Sequence, residues 1–217
     1  NESERERALA EADYILVAAV KMPGDMIRKL RRVRLIQKTG IGVDTIDLQA
    51  SADAGIPVCN TPGGNAAGVT ELTFGLILSL YRKLPLRERA TKNGEWLMWE
   101  YRPSSYEIKG KVHGIVGIGN IGKEVARISR AFGASIVYYD KFRLPEEQEK
   151  NLSVSYRDLK DLFRVSDIVS VHVPLLPDTR GMIGWDVLSG MRREAILVNV
   201  SRGNIVDEAA LERMLSE

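Results

Sequence analysis

KVHGIVGIGNIGKEVARISRAFGASIVYYD, Lys111 to Asp140, is the stretch whose reading decides the fold. Val112 to Val116 is a short apolar run ending in glycine, as expected of a buried parallel strand. Gly117-Ile118-Gly119-Asn120-Ile121-Gly122 follows as G-x-G-x-x-G. Val125, Ile128, Ser129 and Phe132 then recur at helical spacing, and Gly133 stands where a helix would stop. Ala134 to Tyr139 reads as a second strand, closed by Asp140.

A lone G-x-G-x-x-G is weak, because glycine-rich turns are common. Here a strand precedes it, a helix follows, and an acid closes the next strand, 18 residues after Gly122. In that context one glycine permits the tight turn, one admits a pyrophosphate to the backbone, and one lets helix and strand pack closely. The helix N-terminus offers N–H groups and the positive end of its dipole. The motif therefore predicts a dinucleotide site at Gly117, Gly119, Asn120, Ile121 and Gly122. Asp140 suits the two ribose hydroxyls of NAD and repels a 2′-phosphate, so NAD is preferred over NADP. Lys141 and Arg143 come closely enough after it to soften that preference.

Composition narrows the remaining classes. The 217 residues allow one large domain or two small ones, and 44% apolar with 28% charged residues is ordinary for a globular protein. A net charge of +2, with charges interspersed, gives no reason to expect nucleic acid. No apolar run approaches the ~20 residues that span a bilayer, and no signal-peptide pattern is present. A cytoplasmic protein is expected. Cys59 is the one cysteine, which excludes an internal disulfide, and it reads as a small buried hydrophobe after a strand. The absence of an initial methionine at Asn1 suggests that something upstream has been removed.

Working outward, Tyr14 to Val20 reads as a buried strand, a helix runs from Pro23 to about Arg32, and Leu35 to Lys38 is a second strand. A short helix through Leu48 and Ala52 ends at Gly55, with a strand at Pro57 to Asn60. A long apolar helix runs from Val69 to Tyr81. Pro85 and Gly94 interrupt the helical pattern beyond Tyr81, so Arg82 to Gly110 reads as a connection, where Trp96, Trp99 and Tyr101 either pack under a loop or form a partner surface. Beyond Asp140, a helix at Ser155 to Arg164, strands at Asp167 to Val173 and Ala195 to Val200, and a helix from Asp207 complete the pattern. Alternating strands and helices predict an α/β fold with two parallel-sheet units. The expected division is 1–82, a 83–110 connection, and 111–217.

Ligands of open α/β sheets bind outside the carboxyl ends of strands. Arg202 is the charged side chain at the end of the Ala195–Val200 strand. By position it is either a surface arginine capping its neighbours or a ligand-binding group: its planar fork suits a carboxylate, and beside a nicotinamide it would polarise a keto oxygen. His172 is either an acid/base or a ring that packs beside the cofactor, and the second reading is preferred because no orienting partner can be placed. His113, inside a strand, reads as structural. No metal-spaced His/Cys cluster stands out, so no metal is expected.

Together the motifs KTGIGVDTIDL (38–48), GIPVCNTPGGNAAGVTELTFGLIL (55–78), GIVGIGNIG (114–122), HVPLLPDTRGMI (172–183) and NVSRGNIVDEAAL (199–211) resemble the D-isomer-specific 2-hydroxyacid dehydrogenase family. The resemblance covers nearly the whole chain. It implies a flavodoxin-like substrate domain followed by a Rossmann cofactor domain, and reversible hydride transfer between NADH and a 2-oxo acid. It implies that Arg202 binds the substrate carboxylate and polarises the carbonyl, and that the amides of Ile41 and Gly42 hold that carboxylate. Val69, His172, Val173, Pro174, Thr179 and Val200 are implied near the cofactor, with Asn120 and Ile121 at the pyrophosphate and Asp140 at the ribose. It also implies a homodimer formed through the aromatic-bearing connection. Two departures stand out: the family's usual first strand and helix are missing before Asn1, and its catalytic glutamate and histidine belong to segments after Glu217. A non-catalytic NAD-binding protein, such as a redox-sensing corepressor or truncated paralogue, is the rival reading. Lys38 and its loops would favour a phosphorylated substrate.

Overall fold

The computed structural model describes residues 2–216. The chain divides into two compact units, residues 1–65 and 66–217. The first begins with α1 (Glu2–Glu11) and holds a parallel sheet ordered β1 (Tyr14–Val17), β2 (Leu35–Lys38), β3 (Val58–Cys59), with α2 (Gly24–Ile27) and α3 (Leu48–Asp53) between the strands. Its core gathers Val17, Met22, Ile27, Val33, Ile36, Ile46 and Ile56. Asp47 caps α3 by accepting the Ala50 N–H at 2.9 Å, a bond that satisfies one of the helix's first-turn donors.

Several local expectations for this unit change. β1 is shorter than Tyr14–Val20 and lies at a sheet edge, where Tyr14 and Leu16 are exposed instead of buried. α2 keeps a single turn before the chain leaves helical geometry, well short of Arg32. Cys59 is exposed, because β3 is the other edge strand and its second residue points outward. Lys38 is buried and its Nζ donates to the Ala18 carbonyl, so its ammonium is turned inward and spent on backbone.

The second unit opens with α4 (Ala66–Tyr81) and α5 (Leu84–Lys92), followed by a 3-10 turn at Arg102–Ser104. Its five-stranded parallel sheet is ordered β6 (Val154–Tyr156), β5 (Ser135–Tyr139), β4 (Val112–Val116), β7 (Ile168–Val171), β8 (Ile196–Asn199). α6 (Asn120–Ala131), α7 (Glu146–Leu152), α8 (Leu159–Val165), α9 (Trp185–Leu188) and α10 (Glu208–Ser216) connect or follow these strands. Alternate residues of the central strands serve opposite faces, as the two-residue period of a strand requires. Ile115 and Ile168 join Phe74, Ile77, Tyr81 and Val125 on one face. Val116, Val169 and Val171 join Leu162, Phe163 and Leu188 on the other. Burial on both faces explains why these strands read as continuous apolar runs.

The boundary between units therefore falls before α4 and not at residue 82. Phe74, Ile77 and Tyr81 of α4 sit in the same cluster as α6 and β4, so the long helix is core of the second unit. The expected 83–110 connection contains a real helix, because Pro85 stands in the first turn of α5, where its missing N–H costs nothing. Among the described residues no helix is long and apolar enough to cross a membrane.

Candidate dinucleotide-binding site

The carboxyl ends of β5, β4, β7 and β8 lie side by side in that order and carry, in turn, Asp140, the Gly117–Gly122 turn, His172–Pro174 and Arg202. Adjacent strands are about 4.8 Å apart, so these groups span roughly 14 Å of sheet edge. The chain leaves β4 for β5 on one side and reaches β7 on the other, which makes the β4/β7 boundary the topological switch point where such sheets bind ligands.

The glycine turn is pinned to both neighbours. Gly117 N–H donates to the Tyr139 carbonyl at 2.8 Å, and the Val116 carbonyl accepts His172 N–H at 2.7 Å. Gly117 has φ of +98°, and a Cβ there would stand 2.8 Å from Val173 N, so no other residue fits without moving the β7 loop. At Gly122 a Cβ would lie 2.0 Å from the Gly117 carbonyl oxygen, which fixes how closely α6 folds back on the turn. Gly119 is different: it is exposed and nothing stands within 4 Å of its Cβ position. It also caps α6 without any side-chain bond to the first-turn N–H groups. An uncapped N-terminus beside open space is what a pyrophosphate requires, so the residues present fit a dinucleotide.

Asp140 faces this turn. Its Oδ2 accepts Ile118 N–H at 2.8 Å and its Oδ1 accepts Phe142 N–H at 3.2 Å. The acid is thus fixed by backbone of the glycine turn and of its own loop. Both basic residues after it are paired: Lys141 Nζ meets Asp178 at 2.6 Å, and Arg143 forms a two-pronged pair with Glu149 at 2.9 and 3.0 Å. The Lys141 pair is exposed on both sides, a type that contributes little to stability. The Glu149 carboxylate is buried, and it also accepts the Tyr138 hydroxyl at 2.6 Å. The Arg143 guanidinium, followed by the Tyr138 hydroxyl, holds the Glu149 carboxyl down at about 2.

Across the switch point, Thr179 braces the 174–179 loop by donating to the Pro174 carbonyl at 2.6 Å and accepting Leu176 N–H at 2.7 Å. The Arg202 backbone is braced too: its carbonyl accepts Asn199 Nδ2 at 2.8 Å, while Ser201 Oγ donates to the Val171 carbonyl at 3.0 Å. Arg202 itself is exposed, and its Nη1 donates to the Ser201 carbonyl at 3.0 Å. Val200 is half-buried at the end of β8, packed against the α4–α6 cluster, and Val69 lies in the first turns of α4. Ile41 and Gly42 belong to the first unit, in the loop after β2, where the Ile41 carbonyl accepts Asn60 Nδ2 at 2.9 Å.

Residue spacing did not reveal the buried chain beneath this edge. Ser129 Oγ lies 2.9 Å from His113 Nδ1, and Ser170 Oγ lies 2.8 Å from both His113 Nε2 and His172 Nε2. A hydroxyl has one proton, so Ser170 donates to one ring and accepts from the other, and the tautomers of the two histidines are coupled. His172 Nδ1 is buried without a partner in the protein. Burial, then the neighbouring His172, pushes His113 down to about 3, and burial pushes His172 down to about 4. His172 is therefore neutral at pH 7 and holds no imidazolium proton to donate. The one local signal was the i, i+2 spacing of Ser170 and His172 on one strand face.

Residues 74–217 match the model of the D-isomer specific 2-hydroxyacid dehydrogenase NAD binding domain. The hydroxypyruvate reductase of Thermotoga maritima is 39% identical over 206 residues, covering 94% of this chain and 65% of the relative. The D-3-phosphoglycerate dehydrogenase of Methanocaldococcus jannaschii is 36% identical over 211 residues, covering 96% of this chain and 40% of the relative. A D-lactate dehydrogenase from Aquifex aeolicus, solved with NAD and lactic acid, superposes with a TM-score of 0.86 at 31% identity, covering 97% of this chain and 63% of that one. The chain thus spans between 40% and 65% of the length of these relatives.

The buried histidines make stability depend on pH in a definite direction. Their folded-state values lie below the ordinary value of about 6.5, so the unfolded chain takes up protons first. Stability is complete above about pH 6.5 and is lost as pH falls toward the folded-state values. Between pH 7.5 and 5.5 each histidine should cost about 1.4 kcal/mol of unfolding free energy. Denaturant titrations at the two pH values measure this, and His113→Asn should reduce the difference. A flat profile would contradict neutral burial.

Proposed function

The chain belongs to the D-isomer-specific 2-hydroxyacid dehydrogenase family, and on that premise we propose that it forms the cofactor-binding and carboxylate-binding part of an NAD-dependent enzyme that interconverts 2-oxo and D-2-hydroxy acids. The observation that carries this reading is the order of groups along the strand ends, from Asp140 through the glycine turn and His172–Pro174 to Arg202. Bound NADH would supply the hydride that adds to the keto carbon, and the proton that the oxygen gains would come from water or a general acid. Asp140 accepts the ribose hydroxyls, and the N–H groups of Asn120 and Ile121 meet the pyrophosphate. Val173, Pro174, Thr179 and Val200 line the nicotinamide half, and Val69 contributes beside it. Arg202 binds the carboxylate by its fork and stabilises negative charge as it develops on the keto oxygen. The amides of Ile41 and Gly42 belong to the same proposal as carboxylate donors.

The second unit also supports self-association. α4 is mostly apolar, and after its inner face is buried, Leu72, Leu76 and Leu80 stay exposed along one outer stripe beside Glu71. Leu84, Leu86, Trp96 and Trp99, in the segment that follows, are exposed as well, with Trp96 80% exposed. Exposed apolar residues gathered in this way mark an interaction surface. We therefore assign this surface to a homodimer interface and place the protein in the cytoplasm, where an exposed thiol such as Cys59 stays reduced.

Two experiments test these assignments. In the protein that carries this chain, Arg202→Gln should lower kcat/KM for 2-oxo acid reduction by about 100-fold or more, with NADH affinity within twofold of the unmodified protein. Equal activity would remove Arg202 from the site. Leu76→Asp combined with Trp99→Asp should convert a dimer to a monomer in light scattering, and an unmodified protein that is already monomeric would contradict the interface.

A further inference from the structure

We infer that Glu149 is a cofactor-specificity residue that acts through Arg143: by holding the guanidinium in a two-pronged pair it denies the 2′-phosphate of NADP its natural partner. The inference rests on the reading of Asp140 as the ribose acid. A dinucleotide site of this kind admits NADP when an arginine near that acid receives the 2′-phosphate. Arg143 is so placed, three residues after Asp140, and the segment between is tied to the acid by the bond from Phe142 N–H to Asp140 Oδ1.

Three contacts keep Arg143 away. Its Nε and Nη2 meet the two Glu149 oxygens at 2.9 and 3.0 Å, and its guanidinium lies over the Tyr156 ring at 5.5 Å. The Glu149 carboxylate has no easy substitute for this cation, because it is buried and its other bond is to the Tyr138 hydroxyl. That hydroxyl in turn accepts Leu144 N–H at 2.9 Å, which anchors the 142–144 segment. Moving Arg143, whose side chain is 63% exposed, to a phosphate would cost the largely enclosed Glu149 carboxylate its counter-charge. Lys141 offers a contrast. Its pair with Asp178 is exposed on both sides and opens readily, so Lys141 gives no comparable discrimination.

The test is titration of the purified chain with NADH and with NADPH, followed by nucleotide fluorescence, for the unmodified protein, Arg143→Gln, Glu149→Gln and the double variant. Arg143→Gln alone should leave the ratio of the two dissociation constants unchanged, because the guanidinium is already occupied. Glu149→Gln should shift the ratio toward NADPH by about tenfold. The double variant should return it to the original value. If Glu149→Gln does not fold, Glu149→Asp, which keeps the charge but shortens the reach, should shift the ratio in the same direction. An unchanged ratio in a folded Glu149 variant would overturn the inference, as would a shift that persists in the double variant. A shift in Arg143→Gln alone would show that the arginine was never sequestered and would overturn it too. Failure of the unmodified protein to bind NADH at all would instead overturn the cofactor reading beneath it.

Discussion

The second unit depends on one close approach of backbone to backbone, where the turn after β4 meets the end of β7 at Gly117. The Val116 carbonyl takes His172 N–H, and no side chain at position 117 would leave room for Val173. Because β4 is central in the sheet, this contact fixes the strand ends on both sides of it at once. The exit of α6, the seat of His172 and, through Ser201 and Val171, the position of Arg202 all depend on it. The same geometry accounts for the roles of the other two glycines, one crowded against the turn and one left open toward the ligand.

Charge around the crevice is arranged by pairing. Asp140 spends its carboxylate on two backbone donors, Lys141 is matched by Asp178, and Arg143 by Glu149. The ribose end thus presents an oriented acid and two occupied cations. At the opposite end Arg202 is exposed on a braced backbone. A nearly neutral chain is thereby divided into one edge suited to hydroxyls and another suited to a carboxylate.

Much of this was legible in the chain itself. The strand–turn–helix around Gly117, the acid at Asp140 and Arg202 after a strand were readable because glycine spacing and apolar runs are local signals. α7 was not readable, because EEQEKNL offers no apolar stripe and Glu149 is buried by partners several positions away. α5 was hidden by reading Pro85 as a breaker when it stands in a first turn. Lys38, on the central strand, and Cys59, on an edge strand, exchanged expectations, since burial depends on neighbours that sequence does not reveal. The Ser129–His113–Ser170–His172 chain joins residues far apart in sequence, so only packing brings it into view.

The measurement that most directly tests the central claim is a crystal structure of the protein grown with NADH. The pyrophosphate is expected at the N-terminus of α6 over Gly119, both adenosine ribose hydroxyls on Asp140, and the nicotinamide toward Val200 and Arg202. A nucleotide bound elsewhere, or bound here with Asp140 turned away from the ribose, would contradict that claim.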